Sequence, residues 1–334
     1  CRRGRKRLLR LGRRVKLSGQ FAARVGAQRR SGAERFDQAL VSKADAFGSV
    51  ATRAWPCLFV RCSAPVQGGM MSENAIEPLR FERHGEWYWL RAHSYEFARR
   101  MTAVPVAAME LPRLVGHLPL LLMPQGEGYR LVALLGAEPG TNAFVDARGR
   151  WRAAYVPSAL STYPFRLVEH EGRTILAIDE TQVTDDPYAG GEPLYTAEGE
   201  PAETLQRSID FLGRVARSRA RTDRAVEVLA QEGLIEPWEL ELTVGGRKRS
   251  VRGAYRVSER QLNALDDQAL GRLRDAAALG IAYAQLLSGA TVKTLEQAVA
   301  AREQELSAVG LGASEVFSES PLEDRIDWDR LDED

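Results

Sequence analysis

The sequence predicts an α+β protein, with a β-rich N-terminal half that contains hairpins and a helical C-terminal half that contains one further hairpin. Between Trp87 and Asp179 the chain has short apolar runs, many of them alternating, that glycines and polar turns interrupt. A loop rich in proline and glycine follows at Thr184 to Pro201. Beyond that loop apolar residues recur at helical spacing, and Gly245-Gly246 separates two alternating runs that predict the late hairpin.

The N-terminal half contains strands, a short helix and two hairpins. Tyr95 to Arg100 fits a short helix that Val104-Pro105 ends, because a residue before proline disfavours helical backbone. Ala147-Arg148-Gly149 predicts a hairpin turn, because Gly149 tolerates a positive φ. The predicted strands are Trp87 to Leu90, Leu131 to Leu135, Ala143 to Val145, Trp151 to Val156 (returning from that turn), and Phe165 to Val168 turning through Glu171-Gly172 into Thr174 to Ile178.

The C-terminal half begins with a long helix. Its predicted buried face consists of Leu205, Ile209, Leu212, Val215, Val226 and Leu229, and Gly233 with Pro237 supplies the stop. The remaining predicted elements are a strand over Trp238 to Val244, a partner strand over Val251 to Val257, a capping box of Ser258 with Gln261, and helices from Arg260 to about Leu287 and from Val292 to Leu306.

Charge divides the chain near residue 70. Residues 1–69 carry 16 basic and three acidic residues, and the rest of the chain has a net charge of −12. All three cysteines, Cys1, Cys57 and Cys62, lie in the basic segment. Three interpretations stay open for it: upstream sequence translated from a start codon placed too early, a nucleic-acid-binding arm, or an arginine-rich transit peptide. The predicted units are therefore residues 1–69, a domain over 71–310, and an acidic tail over 311–334.

The acidic tail has too few apolar groups to offset the entropy of ordering. From Glu315 to Asp334 it holds nine acidic residues against Arg325 and Arg330. We expect a solvated, disordered segment. The alternative of a docking motif that becomes ordered on a partner stays open, because the tail contains four isolated apolar residues: Leu322, Ile326, Trp328 and Leu331.

The segment from Asn142 to Phe165 is the strongest candidate for a binding surface. It is dense in aromatic residues within a chain whose aromatic content is only 7%. Such density is typical of a core seam or of a binding surface. The candidate binding residues are Trp151, Tyr155, Pro157, Tyr163, Pro164 and Phe165.

An ordered series of short motifs resembles the bacterial SapC family over about Leu79 to Leu306. The series comprises His84, Tyr95 to Ala98, Val104-Pro105, Leu118-Pro119, Leu134 to Gly136, Asn142 to Phe165, Pro193 to Thr196 with Gly199, Gly233 to Ile235 with Trp238, Gly253 to Tyr255 leading to Leu262, and Gly280 to Ser288. Leu160-Ser161-Thr162 departs from it, since a basic residue is expected before Tyr163. The resemblance implies a bacterial protein linked by name to a surface layer, without an assigned catalytic role. It does not imply the membrane permease for peptides that carries the same short name.

The residues themselves indicate no catalytic constellation. The four histidines, His84, His93, His117 and His170, form none of the short metal-binding patterns. Gly245 to Ser250 lacks the order of a phosphate loop and predicts a charged hairpin tip. We therefore predict no catalytic residue, no metal and no cofactor.

Two hypotheses for function remain open. The first is a non-catalytic binding or accessory module that receives a protein or peptide partner. The alternative is an enzyme, or an enzyme partner, whose site assembles from scattered polar residues of the β-rich half. We expect no specific nucleic-acid partner and no transmembrane segment, because every apolar run is far shorter than a bilayer requires. If translation begins at Met70 or Met71, no signal peptide is evident and the expected location is the cytoplasm.

Overall fold

A computed structural model describes residues 76–170 and 173–308 of the chain. The α+β class is confirmed: antiparallel sheets occupy most of the N-terminal half, and helices dominate the C-terminal half. The strands are β1 (Ile76–Pro78), β2 (Tyr88–Trp89), β3 (Ala103–Pro105), β4 (Leu120–Gln125), β5 (Gly128–Leu134), β6 (Phe165–His170), β7 (Arg173–Asp179), β8 (Val183–Thr184), β9 (Glu192–Pro193), β10 (Ile235–Pro237), β11 (Leu240–Val244), β12 (Arg247–Val251) and β13 (Tyr255–Val257). The α-helices are α1 (Phe81–His84), α2 (Leu111–Leu114), α3 (Ser158–Ser161), α4 (Glu203–Gln231), α5 (Glu259–Leu262), α6 (Asp267–Asp275), α7 (Ala278–Ser288) and α8 (Val292–Ala308).

The largest sheet in the described part has five antiparallel strands in the order β10-β13-β4-β5-β3. Strands β4 and β5 are apolar on both faces where they are central, and Leu120, Leu121, Leu122 and Leu131 are fully buried. Continuous apolar runs of this kind are typical of strands covered on both sides. Helices α4 and α7 pack against this sheet.

Two smaller three-stranded sheets lie beside it, in the orders β1-β7-β6 and β8-β2-β9. The predicted hairpin from Phe165 to Ile178 is confirmed, and these two residues are directly paired. Its turn residues, Glu171 and Gly172, lie outside the described residues. Strand β2 holds Trp89 between β8 and β9.

Helix α4 connects two hydrophobic clusters. Its first half buries Leu205, Ile209 and Leu212 in a cluster with Trp89, Phe165 and the β6-β7 hairpin. Its second half buries Ala225, Val226 and Leu229 in the larger cluster around the five-stranded sheet. With 29 residues the helix is about 43 Å long, which suffices to line both.

The hairpin predicted around Gly149 is much shorter than expected. Gly149 has a φ of 74°, as predicted, but the two arms pair only through a single bridge between Val145 and Trp151. The tight turn is held instead by the Asp146 carboxylate, whose Oδ1 accepts hydrogen bonds of 2.9 Å from the backbone N–H groups of Arg148 and Arg150. Hydrogen bonds from the turn to the Asp146 side chain therefore stand in place of the strand-to-strand hydrogen bonds of a longer hairpin.

The late hairpin exists, but the predicted partner strand was wrong. Gly245 and Gly246 have φ angles of 56° and 78°, a pair that suits a two-residue turn. Such a turn pairs Val244 with Arg247 at once, so the return strand is β12 rather than Val251 to Val257. The sequence did not predict β12, because its charged residues show no apolar alternation. Strand β13, which was predicted as the partner, pairs with β10 and β4 instead.

The helix predicted from Arg260 to about Leu287 is three helices. Asp266 caps α6 by accepting from the N–H of Ala269 at 2.7 Å, and Ala277 takes a left-handed φ of 56° between α6 and α7. The capping box at Ser258 is absent, because that side chain makes no cap hydrogen bond. The Ser258 hydroxyl bonds the carboxylate of Glu236 instead, which lowers the pKa of Glu236.

The basic segment and the acidic tail lie outside the described residues. The division into residues 1–69, 71–310 and 311–334 stays a proposal.

Candidate functional site

An open cleft of about 360 Å³ lies where the two hydrophobic clusters meet. Five aromatic rings line it: Trp89, Tyr95, Phe97, Tyr163 and Phe211. They come from β2, from the 3-10 turn Glu96–Ala98 and the residue before it, from the residues after α3, and from the first turns of α4. The cleft therefore exists only where four separate segments converge.

Phe97 and Tyr163 form one wall of the cleft. Their rings lie parallel, with centroids 3.9 Å apart and planes 9° from each other. The Tyr163 hydroxyl donates to Oδ2 of the buried Asp179 at 2.9 Å, and Thr181 donates to the other oxygen. Burial, reinforced by the Asp179 carboxylate, raises the pKa of Tyr163 to about 12. The hydrogen bond to Asp179 thus fixes the Tyr163 ring in the wall of the cleft.

Trp89 supplies the inner surface of the cleft. It is only 7% exposed, and Phe165 meets its ring edge to face with centroids 5.1 Å apart. The guanidinium of Arg91 lies 5.8 Å from the centroid of the same ring, in a cation–π arrangement. Trp89 is therefore packed on one side and faces a cation on the other.

Two polar atoms of cleft residues are buried without a hydrogen-bond partner in the described part of the chain. They are the indole Nε1 of Trp89 and the hydroxyl Oγ1 of Thr204. Buried polar atoms without partners are uncommon and cost about 1 to 3 kcal/mol each.

The first turns of α4 form the opposite wall. Thr204, Arg207, Ser208 and Phe211 follow one another at helical spacing and all line the cleft, while Leu205 faces the core. The Arg207 side chain is 70% exposed and pairs with Glu203, and the Arg91 side chain is 67% exposed and pairs with Glu192. Exposed ion pairs of this kind contribute little, about 0 to 1 kcal/mol, so both guanidinium groups can bind a ligand carboxylate.

The structure separates the six predicted binding residues into two groups. Tyr163 lines the cleft, and Phe165 supports it from below through Trp89. Pro164 is buried between them, after a cis peptide bond. Trp151 is half-buried behind the cleft, where its ring lies 5.8 Å from that of Tyr95. Phe165 belongs to a different hydrophobic cluster from Trp151 and Tyr155.

Tyr155 and Pro157 belong to a second, polar node centred on the buried carboxylate of Glu110. That carboxylate accepts hydrogen bonds from the Tyr155 hydroxyl at 3.2 Å, from the N–H of Ser158 at 2.5 Å and from its hydroxyl at 2.7 Å. The N–H of Ala107 donates a fourth bond at 3.0 Å. Burial and the charge of Glu110 raise the pKa of Tyr155 to about 12. Pro157 is buried at the start of α3, which this node fixes in place.

The prediction from sequence did not include most of the residues that line the cleft. Trp89, Arg91 and Phe97 precede the aromatic segment, and Thr204, Arg207 and Phe211 follow it by some 40 residues or more. One signal was present: Phe211 breaks the apolar pattern of α4, because a large ring stands beside the buried Leu212 rather than on the buried face. Such an extra aromatic residue at the edge of a helical face favours a second contact surface.

His84 is a structural histidine, because both of its ring nitrogens are engaged. His84 is fully buried, with Nε2 3.0 Å from Oε1 of Glu180 and Nδ1 3.1 Å from both backbone polar atoms of Arg80. Within residues 76–170 and 173–308 no group of three or more metal-binding side chains comes together. The absence of a bound metal stays a prediction.

No helix in the described part of the chain combines the length and the apolar character that a membrane span requires. Residues 79–295 match the model of one protein family, described as SapC. That match covers most of the chain, and the protein therefore belongs to the SapC family. Comparison with curated proteins and with solved structures finds no match for this chain.

Proposed function

We propose that this SapC-family protein is a binding module whose aromatic cleft receives a peptide segment of a partner. The observation that carries the proposal is one open cleft in which five aromatic rings, from four segments of the chain, meet two exposed guanidinium groups. The ring faces that line the cleft suit an aromatic side chain of a peptide. Arg91 and Arg207 at the rim favour acidic residues beside that side chain.

The open shape of the cleft supports binding of a chain segment. Its lining contains no histidine and no carboxylate, so it offers no acid–base pair of the kind that an enzyme site uses. The Tyr163 hydroxyl is already engaged with Asp179. The cleft residues thus supply ring faces and two cations, which are elements of recognition.

The test is selection of binding peptides from a random display library with the full chain. We expect the enriched peptides to combine an aromatic residue with neighbouring Asp or Glu, and to bind in the micromolar range by fluorescence anisotropy. Ser161→Phe, which fills the cleft from an exposed position, should weaken binding at least about tenfold, or about 1.4 kcal/mol.

The matched control is Ser250→Phe, the same change at an exposed position on β12. It should leave the affinity unchanged. Peptides that bind the Ser161→Phe variant as tightly as the natural chain would place the binding surface elsewhere and overturn the proposal.

A further inference from the structure

We propose that the occupant of the cleft in the free protein is the chain's own acidic tail, with Trp328 against the aromatic rings. The inference rests on the proposed binding function and adds its regulation: the tail competes with an outside peptide for the same site. Trp328 stands between Asp327 and Asp329, which is the combination of ring and carboxylates that the cleft favours. The two carboxylates match Arg91 and Arg207 at the rim.

Charge along α4 extends this match beyond the cleft. Exposed arginines recur on the helix face that carries Arg207, at intervals of three or four residues from Arg214 onward: Arg214, Arg217, Arg221 and Arg224. One exposed acidic residue, Asp210, lies between Arg207 and Arg214. The guanidinium of Arg214 also lies 5.7 Å from the centroid of the Phe211 ring, so the row joins the cleft directly. The tail carries nine acidic residues against two arginines, which makes it the complementary partner within the chain.

The path of the chain allows this contact. The described part of α8 ends at Ala308, and Glu305 in its last turn forms an ion pair with Arg152. The neighbouring Trp151 contacts Tyr95, whose ring lines the cleft. Twenty residues separate Ala308 from Trp328, and a chain of that length spans up to about 70 Å when extended. The last described turn of α8 is thus linked to the cleft through these contacts, and the chain that follows has ample length to reach it.

The guanidinium groups have donors for both their present partners and the tail. Arg91 bonds Glu192 through Nε, and Arg207 bonds Glu203 through a terminal nitrogen. Each guanidinium has five N–H donors, so one hydrogen bond leaves others for a carboxylate of the tail. Because both groups are exposed, the contact should weaken as salt is added.

The test is fluorine NMR of the full chain labelled with 5-fluorotryptophan. The chain has six tryptophans, and Trp328→Phe identifies the signal of Trp328. We expect that signal to differ from free 5-fluorotryptophan in the natural chain, and to move to the free position in the double variant Arg91→Glu with Arg207→Glu. Arg247→Glu with Lys248→Glu, which makes the same change of charge at the β11-β12 turn, should leave it in place. Ser161→Phe provides a cleft variant without a change of charge, and thermal melts confirm that each variant is folded.

A second measurement separates the two proposals. Trp328→Ala in the full chain should tighten the binding of a selected outside peptide about tenfold, because a tethered competitor acts at high effective concentration. Equal affinity of the natural chain and this variant, with Trp328 at the free position, would overturn the inference and leave the binding function standing. A Trp328 signal that is shifted but insensitive to both cleft variants would also overturn it, since the tail would then dock elsewhere. If the cleft binds no outside peptide, even in the Trp328→Ala chain, the proposed function fails.

Discussion

Phe97 and Tyr163 stack face to face with their centroids 3.9 Å apart, although 66 positions separate them in the sequence. The contact joins a 3-10 turn of the N-terminal half to the segment that follows α3. Because Tyr163 is also tied to Asp179 on β7, the stack anchors one wall of the cleft to a sheet.

Removing the Phe97 ring and removing the Tyr163 hydroxyl should lower the free energy of unfolding by different amounts. Phe97→Ala is expected to lower the free energy of unfolding by about 2 to 3 kcal/mol, because it removes a half-buried ring and its stacking partner. Tyr163→Phe keeps the ring and removes only the hydrogen bond to Asp179, so a loss of about 1 kcal/mol is expected. Urea denaturation of both variants gives the comparison. A larger loss for Tyr163→Phe than for Phe97→Ala would contradict the role assigned to the stack.

Glu110 should be among the least replaceable polar residues of the chain. Glu110→Ala leaves the N–H groups of Ala107 and Ser158 buried without their acceptor, and we expect a loss of about 3 kcal/mol or more. Tyr155→Phe removes a single donor to the same carboxylate and should cost only about 1 kcal/mol. Chemical denaturation measures both losses. Equal losses in the two variants would show that the buried carboxylate is not the centre of the node.

Acid stability should depend on Asp146. Burial acts to raise its pKa, but hydrogen bonds from Arg150 and Arg148 prevail and lower the pKa to about 2, from 3.8 in the unfolded chain. A pKa that is lower in the folded state stabilises the protein above the unfolded value, and this stabilisation is lost as the pH falls from about 4 to 2.

Asp146→Asn should therefore be less stable than the natural chain at pH 7, and the gap should narrow below pH 4. Thermal melts at several pH values between 7 and 2.5 provide the measurement. Parallel curves for the two proteins over that range would refute the assignment.

A chain that starts at Met71 should unfold with the same cooperativity as the full chain. Residues 1–69 have a net charge of +13 and no periodic apolar face, so they offer little to bury. Thermal melts of the two proteins compare them directly. A broad or much earlier transition in the shorter chain would show that the basic segment belongs to the fold.

Much of the fold was predictable because local patterns carry it. The helical spacing from Leu205 to Leu229 predicted α4, and the alternation around Glu171-Gly172 predicted the β6-β7 hairpin. The errors arose where a side chain or a turn overrode the pattern. Asp146 closed a tight turn in place of a strand pair, and a two-residue glycine turn set the register of β12 before the apolar pattern resumed.

The sequence by itself determined the α+β class, the family, and the position of Tyr163 in an aromatic segment, because hydrophobic period and motif order are local properties. Only the tertiary structure decided which rings share a cleft. Trp89, Phe97, Tyr163 and Phe211 lie on four segments that meet because α4 spans both hydrophobic clusters. The tertiary structure also separated the predicted binding residues: Tyr163 lines the cleft, whereas Tyr155 contacts Glu110. Packing between distant segments depends on the whole core, and no local period records it.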